Sequence, residues 1–249
     1  MSTLAFIPAR SGSTRVVRKN LQRVGGLTLL DRAIVCALDA DCDRVVVSTN
    51  CPEIAHDARC YSRVEVHDRP EPLASATAQI EDAIAHWLHR CSPTLADDDV
   101  VCICQPTSPF RRPETVRACV ELVRKHGHDV AVAGVRDAAR VLFTGRIRGV
   151  YDEAAGRDVA FEARWDHPPA FRPRTQDVPN DAVDRGLLYA FTAGHFRRVG
   201  YRMAERTGYT IVTALEAFDV DTPLDLEIAR LIAPHAERLL ATYAATEAA

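Results

Sequence analysis

Leu4-Ala-Phe-Ile-Pro8, running straight into Ala9-Arg-Ser-Gly-Ser-Thr-Arg-Val-Val-Arg-Lys-Asn20, decides how this chain is read. A short apolar run closed by a proline reads as a buried strand. The stretch behind it has no apolar period. It carries Gly12, the hydroxyls of Ser11, Ser13 and Thr14, and the cations Arg10, Arg15, Arg18 and Lys19. In open α/β sheets, ligands bind beyond the carboxyl ends of the strands. A glycine for close backbone approach, hydroxyl donors and clustered cations there suit a polyphosphate. The loop matches neither the GxGxxG dinucleotide fingerprint nor the GxxxxGK[ST] phosphate loop. From its composition alone it reads equally well as a solvated basic loop.

Working outward, strand and helix signals alternate as far as residue 135. Leu29 to Leu38 places apolar residues at helical spacing, and Arg44 to Thr49 holds the buried-strand triplet Val45-Val46-Val47. A short helix at Ile54 to Arg59 and a short strand at Val64 to Val66 follow. Thr77 to Leu88 lines up Ile80, Ala83, Ile84, Trp87 and Leu88 on one helical face. Val100 to Cys104 and Val130 to Val135 read as strands, separated by a helix that opens at Pro113. This rhythm predicts a Rossmann-like α/β fold, a mostly parallel sheet flanked by helices. Residues 136–185, rich in Arg, Asp and Pro, break the rhythm and read as an extended or hairpin-like insertion. The core is therefore expected over 1–135 and 186–249. It resumes with strands at Leu187 to Phe191, Tyr209 to Val212 and Phe218 to Val220. A last helix opens at Thr222-Pro223, its apolar face formed by Leu224, Ile228, Leu231 and Ile232 and continuing to Leu239. The tail after Thr242 is expected to fray.

A chain of 249 residues is long enough to bury its own core. With 47% hydrophobic and 26% charged residues, it is neither disordered nor a disulfide scaffold. A net charge of −3 supplies no global basic field for nucleic acid. No apolar run is long enough to span a membrane, and the N-terminus reads as a first strand rather than a signal peptide. The eight cysteines include no CxxC pair, so they are expected to be reduced thiols of a cytoplasmic protein. Of 31 basic residues only Lys19 and Lys125 are lysine. A lysine kept among arginines suggests that the compact ammonium is wanted there.

Two further segments carry chemistry. Gln105-Pro-Thr-Ser-Pro-Phe-Arg111 is a polar loop stiffened by two prolines at the end of a central strand. In Phe218-Asp-Val-Asp-Thr-Pro223, Asp219 and Asp221 are two apart, so on a strand both carboxylates face one side. Two such carboxylates, with water and a substrate phosphate, make a Mg²⁺ site. Asp221 alone would also serve to cap the last helix.

Taken together, these segments resemble the acylneuraminate cytidylyltransferases (CMP-sialic acid synthetases), relatives of the Kdo cytidylyltransferases. The resemblance covers most of the chain. It rests on Ala9-Arg10 with Lys19-Asn20, Val45 to Thr49, Arg69-Pro70 with Leu73-Ala-Ser75, Gln105 to Pro109, Arg185 to Tyr189, and Asp219 to Leu226. It implies the nucleotide-diphospho-sugar transferase type of fold and Mg²⁺-dependent transfer of CMP from CTP to the anomeric hydroxyl of a nonulosonic acid, with release of pyrophosphate. By that resemblance, Arg10 and Lys19 hold and neutralise the triphosphate, and Ala9 and Ser13 line it. Asn20, Arg69 and the segment from Leu73 to Ala78 take ribose and cytosine. Asp219 and Asp221 hold metal, and Asp221 is also a candidate to help deprotonate the sugar hydroxyl. Gln105, Arg174 and Tyr189 face the acidic sugar, and residues 136–185 form an arm that builds a homodimer. The chain departs from the family pattern at Thr14, Asn50, Ala76 and Arg185, where Lys, Asp, Asp and Asn are usual. The changes at Ala76 and Arg185 leave open another acidic acceptor, Kdo or a phosphonate. Those at Thr14, Asn50 and Ala76 leave open a nucleotide-binding relative without catalysis.

Overall fold

The computed structural model describes residues 1–92, 94–137, 143–147, 151–152, 157–158, 161–165 and 181–247. The chain divides into two compact units, Met1–Val135 with Asp184–Ala249, and Arg136–Val183. Its elements run β1 (Thr3–Pro8), β2 (Arg23–Val24), β3 (Leu27–Thr28), α1 (Leu29–Asp39), β4 (Arg44–Thr49), α2 (Pro52–Arg59), β5 (Val64–Asp68), α3 (Ile80–His86), β6 (Val100–Cys104), α4 (Pro113–Arg124) and β7 (Val130–Asp137). Then come β8 (Phe143–Ile147), β9 (Tyr151–Asp152), β10 (Arg157–Asp158) and β11 (Phe161–Trp165), followed by β12 (Asp181–Thr192), α5 (Ala193–Val199), β13 (Thr207–Val212), α6 (Pro223–Ile232) and α7 (Ala236–Glu247).

The first unit is built on a seven-stranded sheet of order β13-β7-β12-β6-β1-β4-β5. β1 lies parallel to both β4 and β6, β4 to β5, and β7 to β13, while β12 runs antiparallel to β6. The chain leaves β1 toward β4 and β5 and returns on its other side as β6. That reversal opens a crevice at the carboxyl end of β1. The expected mostly parallel α/β sheet is what the chain forms. In the second unit β8 pairs with β11 and β9 with β10, both antiparallel.

Alternation along the buried strands sorts the core onto two faces. Phe6, Ile103 and Phe191 pack with Trp87 and Leu88, which follow α3 in a π-helical turn over Trp87–Cys91. The Phe6 and Trp87 ring centroids are 5.3 Å apart. Cys102 and Cys104 alternate with these residues and are wholly buried. Cys36, Cys42, Cys51, Cys60, Cys102, Cys104 and Cys119 are free thiols. Burial pushes Cys36 up to about 11 and Cys119 to about 12, so both are neutral packing groups.

Local chemistry explains the element ends. Thr28 and Asp31 form a capping box at α1, and Thr222 and Asp225 form one at α6 behind Pro223. The tight β2–β3 hairpin, not anticipated from sequence, turns on Gly25 and Gly26, whose φ angles of 60° and 86° suit glycine.

Four expectations at the C-terminal end change. Residues 218–220 form no strand; Val220 N–H instead donates to the Thr107 carbonyl at 2.8 Å, pinning an extended segment. The last helix is two helices, because a short 3₁₀ turn at Ala233–His235 contains Pro234, which cannot continue an α-helical ladder. The inward side is Leu226, Ala229, Ala236 and Leu240, whereas Leu224 and Leu231 are 68% and 76% exposed. α7 also continues past Thr242 to Glu247.

Candidate active site

The loop leaving β1 is held before any ligand arrives. Ala9 N–H donates to the Ser48 carbonyl at 2.9 Å, and the Asn20 side chain donates to the Arg10 carbonyl at 3.2 Å. Gly12 sits at φ 79°, a left-handed conformation that strains any residue with a Cβ. Asn50, at the end of β4, accepts from Ser11 N–H at 2.9 Å and donates to Ser11 Oγ at 2.8 Å and to the Glu71 carboxylate. Arg10 reaches across to the Ala74 carbonyl at 3.1 Å. The polar side chains of this loop therefore tie it to β4 and to the 3₁₀ turn at Glu71–Ala74.

The acidic segment before α6 meets this loop. Lys19 Nζ donates to the Val220 carbonyl at 2.9 Å and to Asp221 Oδ1 at 3.0 Å. Arg15 lies 3.3 Å from the same carboxylate oxygen. Asp225 accepts from the backbone N–H groups of Asp221 and Thr222 at 3.0 and 2.7 Å, so the helix cap also sets the Asp221 backbone. Asp219 accepts from the Thr107 hydroxyl; burial pushes its carboxyl up, reinforced by Asp221 and opposed by Lys19. The loop 105–109 thus meets the acidic segment twice, through the Thr107 hydroxyl and the Thr107 carbonyl.

A cavity of about 190 Å³ is lined by Arg10, Ser13, Lys19, Asn20 and Thr107. A second, of about 220 Å³, shares Arg10, Ser13, Lys19 and Asn20 and extends to Cys51 and Ile54. A third, of about 300 Å³, lies between the ends of β4 and β5 and is lined by Asn50, Arg59, Arg69 and Glu71. Burial, with Arg10 nearby, pulls the Arg69 guanidinium down to about 10. Among the described residues neither Arg10 nor Arg69 has a carboxylate partner, which suits an anionic ligand.

A divalent cation fits this donor set in one way. Among the described residues, no group of three His, Cys, Asp or Glu side chains forms a self-contained metal cage. Asp221 lies close enough to Asp219 to push the Asp219 carboxyl up. Magnesium is commonly held by one or two carboxylates, with substrate phosphates and water completing its shell. The pair suits that kind of site and would hold the ion only together with a phosphate ligand.

The residues expected on the acceptor side do not converge in the same way. Gln105 uses its carbonyl to accept from the Arg111 guanidinium at 2.8 Å, and neither Gln105 nor Ala78 lines the three cavities. Tyr189 is only 5% exposed; its hydroxyl donates to Asp184 at 2.6 Å, and the Arg202 guanidinium covers its ring at 4.8 Å. Arg174 lies outside the described residues. Sequence reasoning missed Thr107, Asn50 and Glu71 as parts of this framework. Thr107 was legible as the hydroxyl inside the proline-stiffened loop. The Asn50–Glu71 contact had no sequence signal, because it depends on how β4 and the Glu71–Ala74 turn are placed.

A family model described as cytidylyltransferase matches residues 4–183 of the chain. The chain belongs to the cytidylyltransferase family. CMP-N,N'-diacetyllegionaminic acid synthase of Legionella pneumophila subsp. pneumophila is 38% identical over 131 residues, 52% of this chain and 56% of that protein. N-acylneuraminate cytidylyltransferase A of Danio rerio is 28% identical over 228 residues, 90% of this chain and 49% of that protein. This cytidylyltransferase chain spans about half the length of the curated relatives it matches. Among solved structures, CMP:2-keto-3-deoxy-manno-octonic acid synthetase complexed with CTP superposes with a TM-score of 0.63 at 18% identity. That match covers 93% of this chain and 98% of the other. It shows the shared fold. No helix among the described residues is long and apolar enough to cross a membrane.

Proposed function

We propose that this cytidylyltransferase transfers CMP from CTP to the anomeric hydroxyl of a nonulosonic acid and releases pyrophosphate. The observation that carries this reading is the meeting of Lys19 with Asp221 beside a cavity that Arg10, Ser13 and Asn20 also line. Nucleotidyl transfer brings an oxygen nucleophile to a phosphorus already crowded with negative charge. Cations placed in advance lower that barrier by neutralisation and orientation. Arg10 and Lys19 neutralise the triphosphate, Ser13 donates to it, and Ala9 lets the backbone approach. Asn20 keeps the loop in shape for the ribose, and Arg69 with the segment leading to Ala78 takes the base side. Asp219 and Asp221 would hold Mg²⁺, which when bound supplies charge neutralisation at the phosphates. In this reading Asp221 is also the candidate to take the proton of the acceptor hydroxyl. Gln105, Arg174 and Tyr189 belong to the acceptor side, where an arginine suits the acid's carboxylate.

Residues 136–185 form the arm of a homodimer in this reading, and the free thiols suit a reducing compartment such as the cytoplasm. A second reading keeps the chemistry and changes the acceptor to Kdo or a phosphonate. Ala76 and Arg185, which replace the usual Asp and Asn, favour it. The test is pyrophosphate release with CTP, Mg²⁺ and a panel of sialic, legionaminic and pseudaminic acids, Kdo and a phosphonate. Turnover with a nonulosonic acid is the expected result. Turnover with only Kdo or the phosphonate selects the second reading, and CTP binding without product from any acceptor overturns both.

A further inference from the structure

Behind Arg69 runs a chain of hydrogen bonds that the proposed chemistry does not use. Arg69 Nε donates to Ser48 Oγ at 3.0 Å, and Arg69 Nη2 donates to the Ser48 carbonyl at 3.1 Å. Ser48 Oγ lies 2.9 Å from His67 Nδ1, and His67 Nε2 lies 2.9 Å from His86 Nδ1 on α3. Ser48, His67 and Arg69 are 0%, 2% and 7% exposed, so water does not substitute for these contacts. The bonds have a direction. A guanidinium N–H can only donate, so Ser48 Oγ accepts from Arg69 and its own proton is free for His67 Nδ1. His67 then carries its proton on Nε2 and donates to His86. The Phe6 ring at 6.3 Å and the His86 ring at 5.1 Å flank the imidazole and fix its plane. The charged groups around it are Arg69 and Asp68, with His86 the other titratable neighbour.

We infer that His67 is a positioning residue for nucleotide binding: it orients the Ser48 hydroxyl, and Ser48 in turn aims the Arg69 guanidinium at the cavity between the ends of β4 and β5. This rests on the reading that Arg69 contacts the nucleotide. Such an indirect brace acts on CTP and leaves the acceptor alone. A guanidinium freed from the Ser48 hydroxyl, and held by the Ser48 carbonyl alone, must be ordered further by the ligand, which weakens binding without changing the chemical step.

The experiment is a double-mutant cycle on the full chain, read as the Kd of CTP with Mg²⁺ by calorimetry and as the KM of each substrate. His67→Phe should raise the CTP Kd about fivefold to tenfold, with kcat and the acceptor KM unchanged. His67→Asn keeps an acceptor at the Nδ1 position and should bind CTP within about twofold of the parent, whereas His67→Gln should resemble His67→Phe. Ser48→Ala should weaken CTP at least as much, and adding His67→Phe to it should cost nothing further. Unchanged CTP binding in His67→Phe, equal behaviour of the Asn and Gln variants, or multiplying effects in the double variant would each overturn the inference. If His67→Phe fails to fold, the Asn and Gln pair decides. Arg69→Ala separates the underlying reading: if it leaves the CTP Kd unchanged, Arg69 is not a nucleotide contact, whatever His67 does.

Discussion

Lys19 Nζ and Asp221 Oδ1 are 3.0 Å apart, although 202 residues of sequence separate them. The contact joins the loop after β1 to the segment before α6 and sets Asp221 against a lysine that lines the cavity. The Lys19 side chain is 12% exposed and that of Asp221 is 44% exposed, so the ion pair is partly screened and adds little to stability. In the proposed function it holds the ammonium beside the cavity assigned to the triphosphate.

Lys19→Ala is therefore expected to cut turnover by about 10²-fold, the usual cost of removing one preorganised donor from a developing anion. The far-ultraviolet circular dichroism spectrum should be unchanged and the thermal midpoint nearly so. Loss of the folded spectrum would instead make Lys19 a structural residue.

Asn50 has both an acceptor and a donor role, and Asp cannot fill the second. Asn50→Asp would place a second carboxylate where the amide now donates to Glu71 and to Ser11 Oγ. The expected outcome is a CTP Kd raised several-fold, with Glu71→Gln restoring most of the loss in the double variant. Calorimetry on the two single variants and the double reads this directly. Failure of Glu71→Gln to compensate would mean that Asn50 acts through Ser11 alone.

Arg111 is a buried cation whose Nη1 donates to the carbonyls of Gln105 at 2.8 Å and Leu187 at 3.1 Å, tying the end of β6 to β12. Among the described residues, its Nε and Nη2 make no hydrogen bond. Arg111→Met should destabilise the fold by about 2–3 kcal/mol, because two buried carbonyls lose a charged donor. Arg111→Lys should recover less than half of that, since the shorter lysine side chain ends before the Nη1 position from which both carbonyls are reached. Urea denaturation of the three proteins measures it, and a Met variant as stable as the parent would show that burying the charge had cancelled its bonds.

Burial, with His86 and Arg69 beside it, pulls His67 down to about 4 from an ordinary value of 6.5. The unfolded chain therefore binds the proton more readily than the folded one. The resulting stability is fully present above pH 6.5 and is lost as pH falls toward 4. The slope is on the order of 1 kcal/mol per pH unit over that window. Denaturation midpoints at pH 7, 6 and 5 should fall for the parent and fall less steeply for His67→Phe. Parallel acid limbs would place the titrating group elsewhere.

Much of this molecule is legible in local sequence. Strand alternation, the spacing of apolar residues in α1 and around Trp87, and the Thr222-Pro223 start of α6 are set within a few residues, so they can be read without knowing the neighbours. The loop from Ala9 to Asn20 and the acids Asp219 and Asp221 are visible for the same reason. The inward side of α6 was not, because Leu224 and Leu226 are both apolar and only the packing partner decides which is covered. Nor was the absence of a strand at residues 218–220, where one backbone bond to Thr107 replaces a ladder. The sequence by itself determined the alternating α/β order and the chemistry available in each loop, since these follow from short-range periodicity and residue type. Only the tertiary structure decided that Lys19 meets Asp221, that Asn50 links Ser11 to Glu71, and that His67 stands behind Arg69. Those contacts exist because parallel strands bring loops distant in sequence to one edge of the sheet, a long-range result that no local pattern encodes.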